Sequence, residues 1–251
     1  MANGCISIDR ILSRLDEYLH KNDYASAERH LLYWLSEAVN NNDVRTELLV
    51  RNELMGLYRK LSREREALEC VGAALDRIEK EKIAHQVGAA TTFLNAATVY
   101  KAFGRAEESL PLFLRAREVY ERELESSDAR LGGLYNNMAL TLVDLGRYGE
   151  ANELYERAIA VMKNTENGAL EVAITYLNMA SAAERELGLL LADEKIQELL
   201  DVAEELLDKH ENRDGYYAFV CEKCASVFGY YGRFVFEGEL RERSRRIYER
   251  S

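Results

Sequence analysis

The feature that most constrains the fold of this chain is a repeat of about 42 residues in its sequence. An apolar position, a glycine position and an alanine position all keep this spacing. They hold Tyr58, Tyr100 and Leu142, then Gly104, Gly146 and Gly188, then Ala74, Ala116 and Ala158. A fixed period of this length indicates an array of structural units, because one unit cannot bury its apolar face alone and must stack on its neighbours.

The best-preserved copy, from Tyr135 to Ala158, has the pattern of two helices joined by a tight turn at Gly146. Apolar residues recur at helical spacing on both sides of that glycine. The chain has only one proline and 15 glycines in 251 residues, and this scarcity of helix breakers favours an almost entirely helical protein. In the second copy Ser62 replaces the turn glycine, which we expect to weaken that copy.

We therefore predict an all-α fold, a single solenoid domain over residues 1–251 built from about six antiparallel helix pairs. The pairs are predicted at residues 6–42, 44–83, 86–125, 128–164, 170–210 and 215–251. Alignment of the fifth copy places about four extra residues near the apolar run Gly188–Ala192, and we expect them to pack locally or to lengthen the turn. Stacked pairs should leave one concave face, lined by the first helix of each pair.

The composition of the chain limits the kinds of partner and location that we expect for it. The net charge is −11, from 33 Lys and Arg against 44 Asp and Glu, and an acidic chain repels phosphate backbones, so we expect no nucleic-acid partner. No run of about 18 apolar residues occurs, so we expect no membrane span. The N-terminus lacks the basic and apolar regions of a signal peptide, and the four cysteines form no disulfide framework. These features predict a cytoplasmic protein with reduced thiols.

The sequence offers no motif for catalysis, a cofactor or a metal. It contains no GxGxxG, Walker loop, GxSxG or HExxH pattern. The pair Cys221 and Cys224 has CxxC spacing, but zinc requires four ligands and no second pair or neighbouring histidine completes a site. We interpret both cysteines as buried thiols and predict that the chain is not an enzyme.

Repeats three and four carry the clearest family resemblance. The pattern Met138, Ala139, Leu142, Gly146, Tyr148, Ala151, Tyr155 and Ala158 resembles the tetratricopeptide repeat. The 42-residue period, Asn136–Asn137 and Gly146-Arg147-Tyr148 resemble its kinesin light chain type. The segment 216–224 is similar to uncharacterised bacterial members. The resemblance implies a right-handed superhelix that binds peptides or proteins and has no inherent catalysis.

Three asparagines, Asn95, Asn137 and Asn178, recur just before the apolar-small pair of a first helix. Asparagine forms helices poorly, so its recurrence needs a reason. In proteins that this chain resembles, the amide at this position faces the groove and binds the backbone of a bound peptide. The alternative is that each asparagine ties its own helix to the next repeat. Glu53 takes the position in repeat two and Lys223 in repeat six.

The same resemblance, carried over by register, extends the candidate peptide-binding set. The additional positions include Asn52, Arg59, Lys60, Thr91, Thr98, Lys101, Asn136, Leu140, Asp144, Ser181 and Arg185. Among them Arg59, Lys60 and Lys101 suit an acidic side chain or a C-terminal carboxylate. The alternative for these three cations is a solvated surface.

The leading interpretation is a non-catalytic scaffold that binds a peptide or partner protein in the concave groove. One alternative is a regulator that senses a small peptide, although repeats that start near residue 6 leave no room for the DNA-binding segment such regulators carry. Another is an assembly subunit that self-associates through its end repeats. The oligomeric state and the identity of the partner are left open.

Overall fold

A computed structural model describes residues 7–250, which form twelve α-helices and no strand. In chain order these are α1 (Ile8–His20), α2 (Tyr24–Asn40), α3 (Val44–Lys60), α4 (Glu64–Glu81), α5 (Val87–Ala102), α6 (Ala106–Glu123), α7 (Ala129–Asp144), α8 (Tyr148–Met162), α9 (Gly168–Leu187), α10 (Leu189–Lys209), α11 (Gly215–Tyr230) and α12 (Phe234–Tyr248). The all-α prediction is confirmed. Cys5 and the predicted start of the first repeat at Ile6 lie outside the described residues.

The helices form six consecutive pairs, and the chain divides into two compact units. Unit 1 (Met1–Glu123) contains α1 to α6, and unit 2 (Leu124–Ser251) contains α7 to α12. Within each unit, each odd-numbered helix packs on the even-numbered helix that follows it. The assignment of one solenoid domain to the whole chain stays a prediction.

Five of the six turns inside the described pairs share one backbone geometry. Gly104, Gly146 and Gly232 have φ of 74°, 71° and 84°, the left-handed region that only glycine enters without steric cost. In each of these turns the N–H of the next residue donates across the corner to the carbonyl five residues earlier, as from Arg147 N to Leu142 O at 2.8 Å. This Schellman motif satisfies the last carbonyls of the first helix, so it ends that helix at a fixed residue.

Ser62 forms the same turn despite its side chain. Its φ is 55°, and Arg63 N donates to Tyr58 O at 2.9 Å. The second copy therefore keeps its geometry and carries the strain of a non-glycine residue in the left-handed region, about 1–2 kcal/mol.

Small and large residues alternate in the interior as the period predicts. Ala67, Ala74, Ala151 and Ala158 of the second helices are fully buried, which lets the helices approach closely. Large side chains fill the space between pairs, and Phe93, Phe113 and Tyr155 are also buried. Because a close-packed interior tolerates few voids, this fixed alternation of volumes accounts for the strict spacing of the two residue classes.

The expectation for the apolar run Gly188–Ala192 is wrong. The extra residues join α10, and Gly188 alone separates α9 from α10, with φ of 80° and ψ of 153°. Leu190 and Leu191 are 93% and 82% exposed, and only Ala192 of the run is buried. The turn is shortened because the inserted residues are strong helix formers that extend α10 at its N-terminus.

Candidate functional site

A cleft of about 520 Å³ lies in unit 1 between α3 and α5. Its apolar wall consists of Val44, Leu48, Leu49, Ile83 and Ala89. Its polar lining includes Asn52, Glu53, Gln86, Thr91 and Asn95. An apolar concavity with a few convergent polar groups is the usual form of a ligand site.

The loop from α4 to α5 helps to build this cleft. Lys82 ends α4 in the left-handed region with φ of 56°, and Ile83 N donates to Ile78 O at 3.2 Å. Gln86 N then donates to Ile83 O at 2.9 Å, just before α5 begins. These bonds hold Ile83 and Gln86 beside the two helices, so the cleft has a wall that the first helices alone would not supply.

Asn52 presents an unsatisfied polar atom in the cleft wall. Its Nδ2 donates to Thr92 Oγ1 at 3.2 Å, which links α3 to α5. Its Oδ1 is buried and accepts no hydrogen bond from the described residues. A buried acceptor without a partner costs about 1–3 kcal/mol. A ligand that donates a hydrogen bond to this oxygen, once a rotation of the amide exposes it to the cleft, would recover that free energy.

Glu53 and Asn95 occupy equivalent positions, 42 residues apart, and both line the cleft. Asn95 is half-buried, and none of the described side chains forms a hydrogen bond with its amide. Burial raises the pKa of the Glu53 carboxyl, and the nearby charge of Asp16 on α1 raises it further. The cleft thus holds an amide open to a ligand and a carboxyl that is poorly solvated.

The predicted cationic residues lie away from this cleft. Arg59 and Lys60 are exposed in the last turn of α3, and Lys60 Nζ lies 5.0 Å from the centre of the Tyr24 ring. Seven residues separate Lys60 from Glu53, about 10 Å along the helix. Lys101 lies in the last turn of α5. Thr98 also falls outside the cleft, and its Oγ1 donates to Leu94 O of its own helix at 2.8 Å.

In unit 2 the predicted amides bind each other or their own helix. Asn178 Nδ2 donates to Asn136 Oδ1 at 3.1 Å and links α9 to α7. Asn137 Nδ2 donates to Gly133 O, one turn back in α7, at 2.8 Å. The Asn136–Asn178 bond is the kind of tie between repeats that the alternative interpretation describes.

The other predicted residues of unit 2 lie on the same two helices. Arg185 Nη1 pairs with Asp144 Oδ1 at 2.6 Å and again joins α9 to α7. Ser181 Oγ donates to Leu177 O of its own helix at 3.2 Å, and Leu140 is half-buried. Their polar atoms are thus largely engaged within unit 2.

The sequence predicts three residues of the cleft, Asn52, Thr91 and Asn95, but not its apolar wall. Leu48 fits the helical spacing of an ordinary core face, nothing in the repeat pattern marks Leu49, and Ile83 is the last residue of the predicted second pair. The available signal in the sequence is Glu53, because a carboxylate there departs from the asparagine that follows 42 residues later.

The described residues contain no group of three His, Cys, Asp or Glu side chains arranged to hold a metal ion. Cys221 and Cys224 are buried free thiols, as predicted, and burial raises the pKa of Cys224 to about 12. Its reactive thiolate is therefore scarce at neutral pH. Over residues 7–250 no helix is long and apolar enough to cross a membrane.

Comparison with known proteins identifies the repeat. Residues 88–164, from α5 to α8, match the family model of the tetratricopeptide repeat. They include the copy with the best-preserved pattern. A search of curated proteins finds no match to the chain.

Two solved structures share the fold. The chain is similar to BtubC (BKLC) from P. vanneervenii, with 20% identity, a TM-score of 0.68, and coverage of 82% of this chain and 83% of that chain. It is also similar to a putative kinesin light chain from Podosopora anserina with nearly identical TPR-like repeats, at 17% identity, a TM-score of 0.57, and coverage of 81% and 95%. The predicted resemblance to kinesin light chain-like repeats is confirmed. Tetratricopeptide repeats generally mediate protein–protein interaction.

Proposed function

We propose that this chain is a non-catalytic, cytoplasmic scaffold that binds a peptide or an extended segment of a partner protein, with the α3–α5 cleft as its contact site in unit 1. The observation that carries the proposal is the buried Asn52 Oδ1, which lacks a donor in the wall of an apolar cleft. An extended peptide supplies backbone N–H donors at regular intervals, together with apolar side chains for Leu48, Leu49 and Ile83.

The amide of Asn95 supports the same ligand. It offers both a donor and an acceptor, so it can bind a peptide backbone whatever the side chains are. No convergent acid, base and nucleophile accompany it in the cleft. A partner with a phosphate backbone is disfavoured by the net charge of −11. The groove roles predicted for Asn137 and Asn178 stay predictions.

The test is selection of a displayed random-peptide library on the purified chain. Leu49→Trp fills part of the cleft with a larger side chain, and Leu114→Trp, at an exposed site on α6, is the matched control. We expect peptides enriched on the wild type to bind the control equally and Leu49→Trp at least about tenfold more weakly, since the larger side chain occupies the space that the peptide would fill. Equal binding to both variants, with unfolding curves unchanged, would exclude the cleft as the contact site.

A second candidate, self-association, is favoured by one feature of unit 2. Two pairs of exposed apolar residues follow turn glycines. Leu190 and Leu191 lie two and three residues after Gly188, and Phe234 and Val235 lie two and three residues after Gly232. All four side chains are at least 70% exposed. Contiguous exposed apolar residues are typical of interaction sites. Sedimentation over a wide concentration range should show an oligomer that Leu190→Asp disrupts and Leu32→Asp, at an exposed site on α2, leaves intact. A monomer at every concentration would exclude this candidate.

A further inference from the structure

The ligand chemistry of the α3–α5 cleft follows from the charge at one of its ends. Of the positions equivalent to Glu53 in the middle repeats, three carry a neutral amide: Asn95, Asn137 and Asn178. Glu53 instead places a carboxyl among apolar side chains. We propose that this cleft selects a peptide with a lysine or arginine side chain, which pairs with Glu53 while the adjacent backbone binds Asn95 and Asn52. This inference rests on the proposed function of the cleft.

The burial of Glu53 is the first support. A carboxylate removed from water is unfavourable unless a cation or hydrogen-bond donors compensate it. In the described residues Glu53 has neither an ion pair nor a hydrogen bond, and burial raises the pKa of its carboxyl. An incoming ammonium or guanidinium would supply the missing partner, and charge-assisted hydrogen bonds of this kind are about twice as strong as neutral ones.

The surrounding charges give the second support. Asp16 on α1 adds negative potential at Glu53, which further favours a cation beside this carboxyl group. Glu81 at the end of α4 also lines the cleft, but Arg77 Nη1 already pairs with it at 3.3 Å. Arg45 is the positively charged residue among those that line the cleft. It is eight residues from Glu53 on α3, about 12 Å along the helix, too far to pair directly.

The apolar wall of the cleft determines which side chains the bound peptide carries beside and along its cation. Leu48 and Leu49 lie one turn before Glu53 on α3, with Ile83 and Ala89 across the cleft. The methylene stem of a lysine or arginine packs on such a surface while its charged end reaches the carboxylate. An aliphatic neighbour in the peptide would fill the remaining volume. The selected segment is therefore a cation beside an aliphatic residue in extended conformation.

Three capped tripeptides test the inference: N-acetyl-Leu-Lys-Leu-amide and the same peptide with norleucine or glutamate in the centre. Norleucine keeps the stem of lysine and removes its charge. Binding is followed by the side-chain amide resonances of Asn52 and Asn95 in ¹H–¹⁵N spectra, with the full chain at pH 7.5. We expect the lysine peptide to bind about tenfold more tightly than the norleucine peptide, and the glutamate peptide to bind weakest.

Glu53→Gln keeps the shape of the side chain and removes its charge. It should reduce the preference for lysine over norleucine to less than about twofold, while the norleucine affinity changes little. Glu118→Gln, at an exposed site on α6, changes the net charge equally and should leave the preference intact. The preference should also fall as the pH is lowered, because Glu53 takes up a proton above the usual pH for a glutamate. That dependence should be absent in Glu53→Gln.

The outcomes separate the two proposals. Equal affinity for the lysine and norleucine peptides, with both amide resonances shifted, would overturn the selection of a cation and leave peptide binding in place. A lysine preference that survives Glu53→Gln would also overturn it. If no peptide shifts the Asn52 and Asn95 resonances, both the inference and the assignment of the cleft as the contact site fail.

Discussion

The two units use the same kind of side chain in opposite ways. In unit 1, Asn52 leaves one buried oxygen without a donor, and the amide of Asn95 faces a cleft. In unit 2, Asn136 and Asn178 bind each other across neighbouring first helices. An amide that is already bonded within the protein contributes to stability, whereas an amide kept open in a cleft is available to a ligand. The repeat pattern is therefore not sufficient to assign a binding role to each asparagine.

The strongest test of this comparison is loss of the Asn178 donor. Asn178→Ala leaves Asn136 Oδ1 unpaired in a half-buried site and should lower the free energy of unfolding by about 1.5 kcal/mol. Asn95→Ala removes no hydrogen bond and should change it by less than about 0.5 kcal/mol. Urea unfolding followed by circular dichroism measures both. Equal losses in the two variants would remove the difference between the units.

The turns provide a second contrast. Ser62 of unit 1 carries left-handed strain that Gly146 of unit 2 avoids. Ser62→Gly should raise the free energy of unfolding by about 1 kcal/mol, and Gly146→Ala should lower it by about the same amount. Thermal and urea unfolding report both changes. A neutral Ser62→Gly would mean that contacts of the serine side chain compensate its backbone strain.

A smaller effect is expected at Asn52. Asn52→Ala loses the hydrogen bond to Thr92 but also removes an unsatisfied buried oxygen, so the net loss should be about 0.5 kcal/mol. The matched variant Asn136→Ala, at the equivalent position of unit 2, should lose about 1.5 kcal/mol because Asn178 loses its acceptor. The same urea series gives the comparison. A larger loss at Asn52 would show that its amide is mainly structural.

The smallest effect should come from Asp144 and Arg185. Their side chains are 32% and 49% exposed, and surface pairs are screened by water. A double-mutant cycle with Asp144→Asn and Arg185→Gln should give a coupling of about 0.3 kcal/mol that fades in high salt. A coupling that persists in high salt would instead indicate a rigid tie between α7 and α9, comparable with the Asn136–Asn178 bond.

The sequence predicted the helix pairs because their causes are local or strictly periodic. Gly104 and Gly146 mark turns by their own backbone freedom, and the recurrent alanines mark close helix contacts. Even Ser62 follows the pattern, since the tertiary packing of the pair holds it in the left-handed region.

The site was harder to predict, because hydrogen-bond partners depend on the register between helices that are distant in sequence. Asn136 and Asn137 are neighbours in the chain, yet only Asn136 reaches α9. The cleft also depends on Ile83, whose position is set by a loop. No residue of the repeat pattern carries that information.

The longer fifth pair shows how such an array can change its length. Buried residues continue along α10 from Ala203 back through Leu200 and Ile196 to Ala192, at steps of three or four. One extra helical turn adds about 5.4 Å and returns the side chains nearly to their original direction. Insertions that approach a whole turn therefore leave the packed face continuous. Packing between neighbouring pairs therefore depends more on the direction in which the buried side chains of each helix point than on the number of residues in the helix.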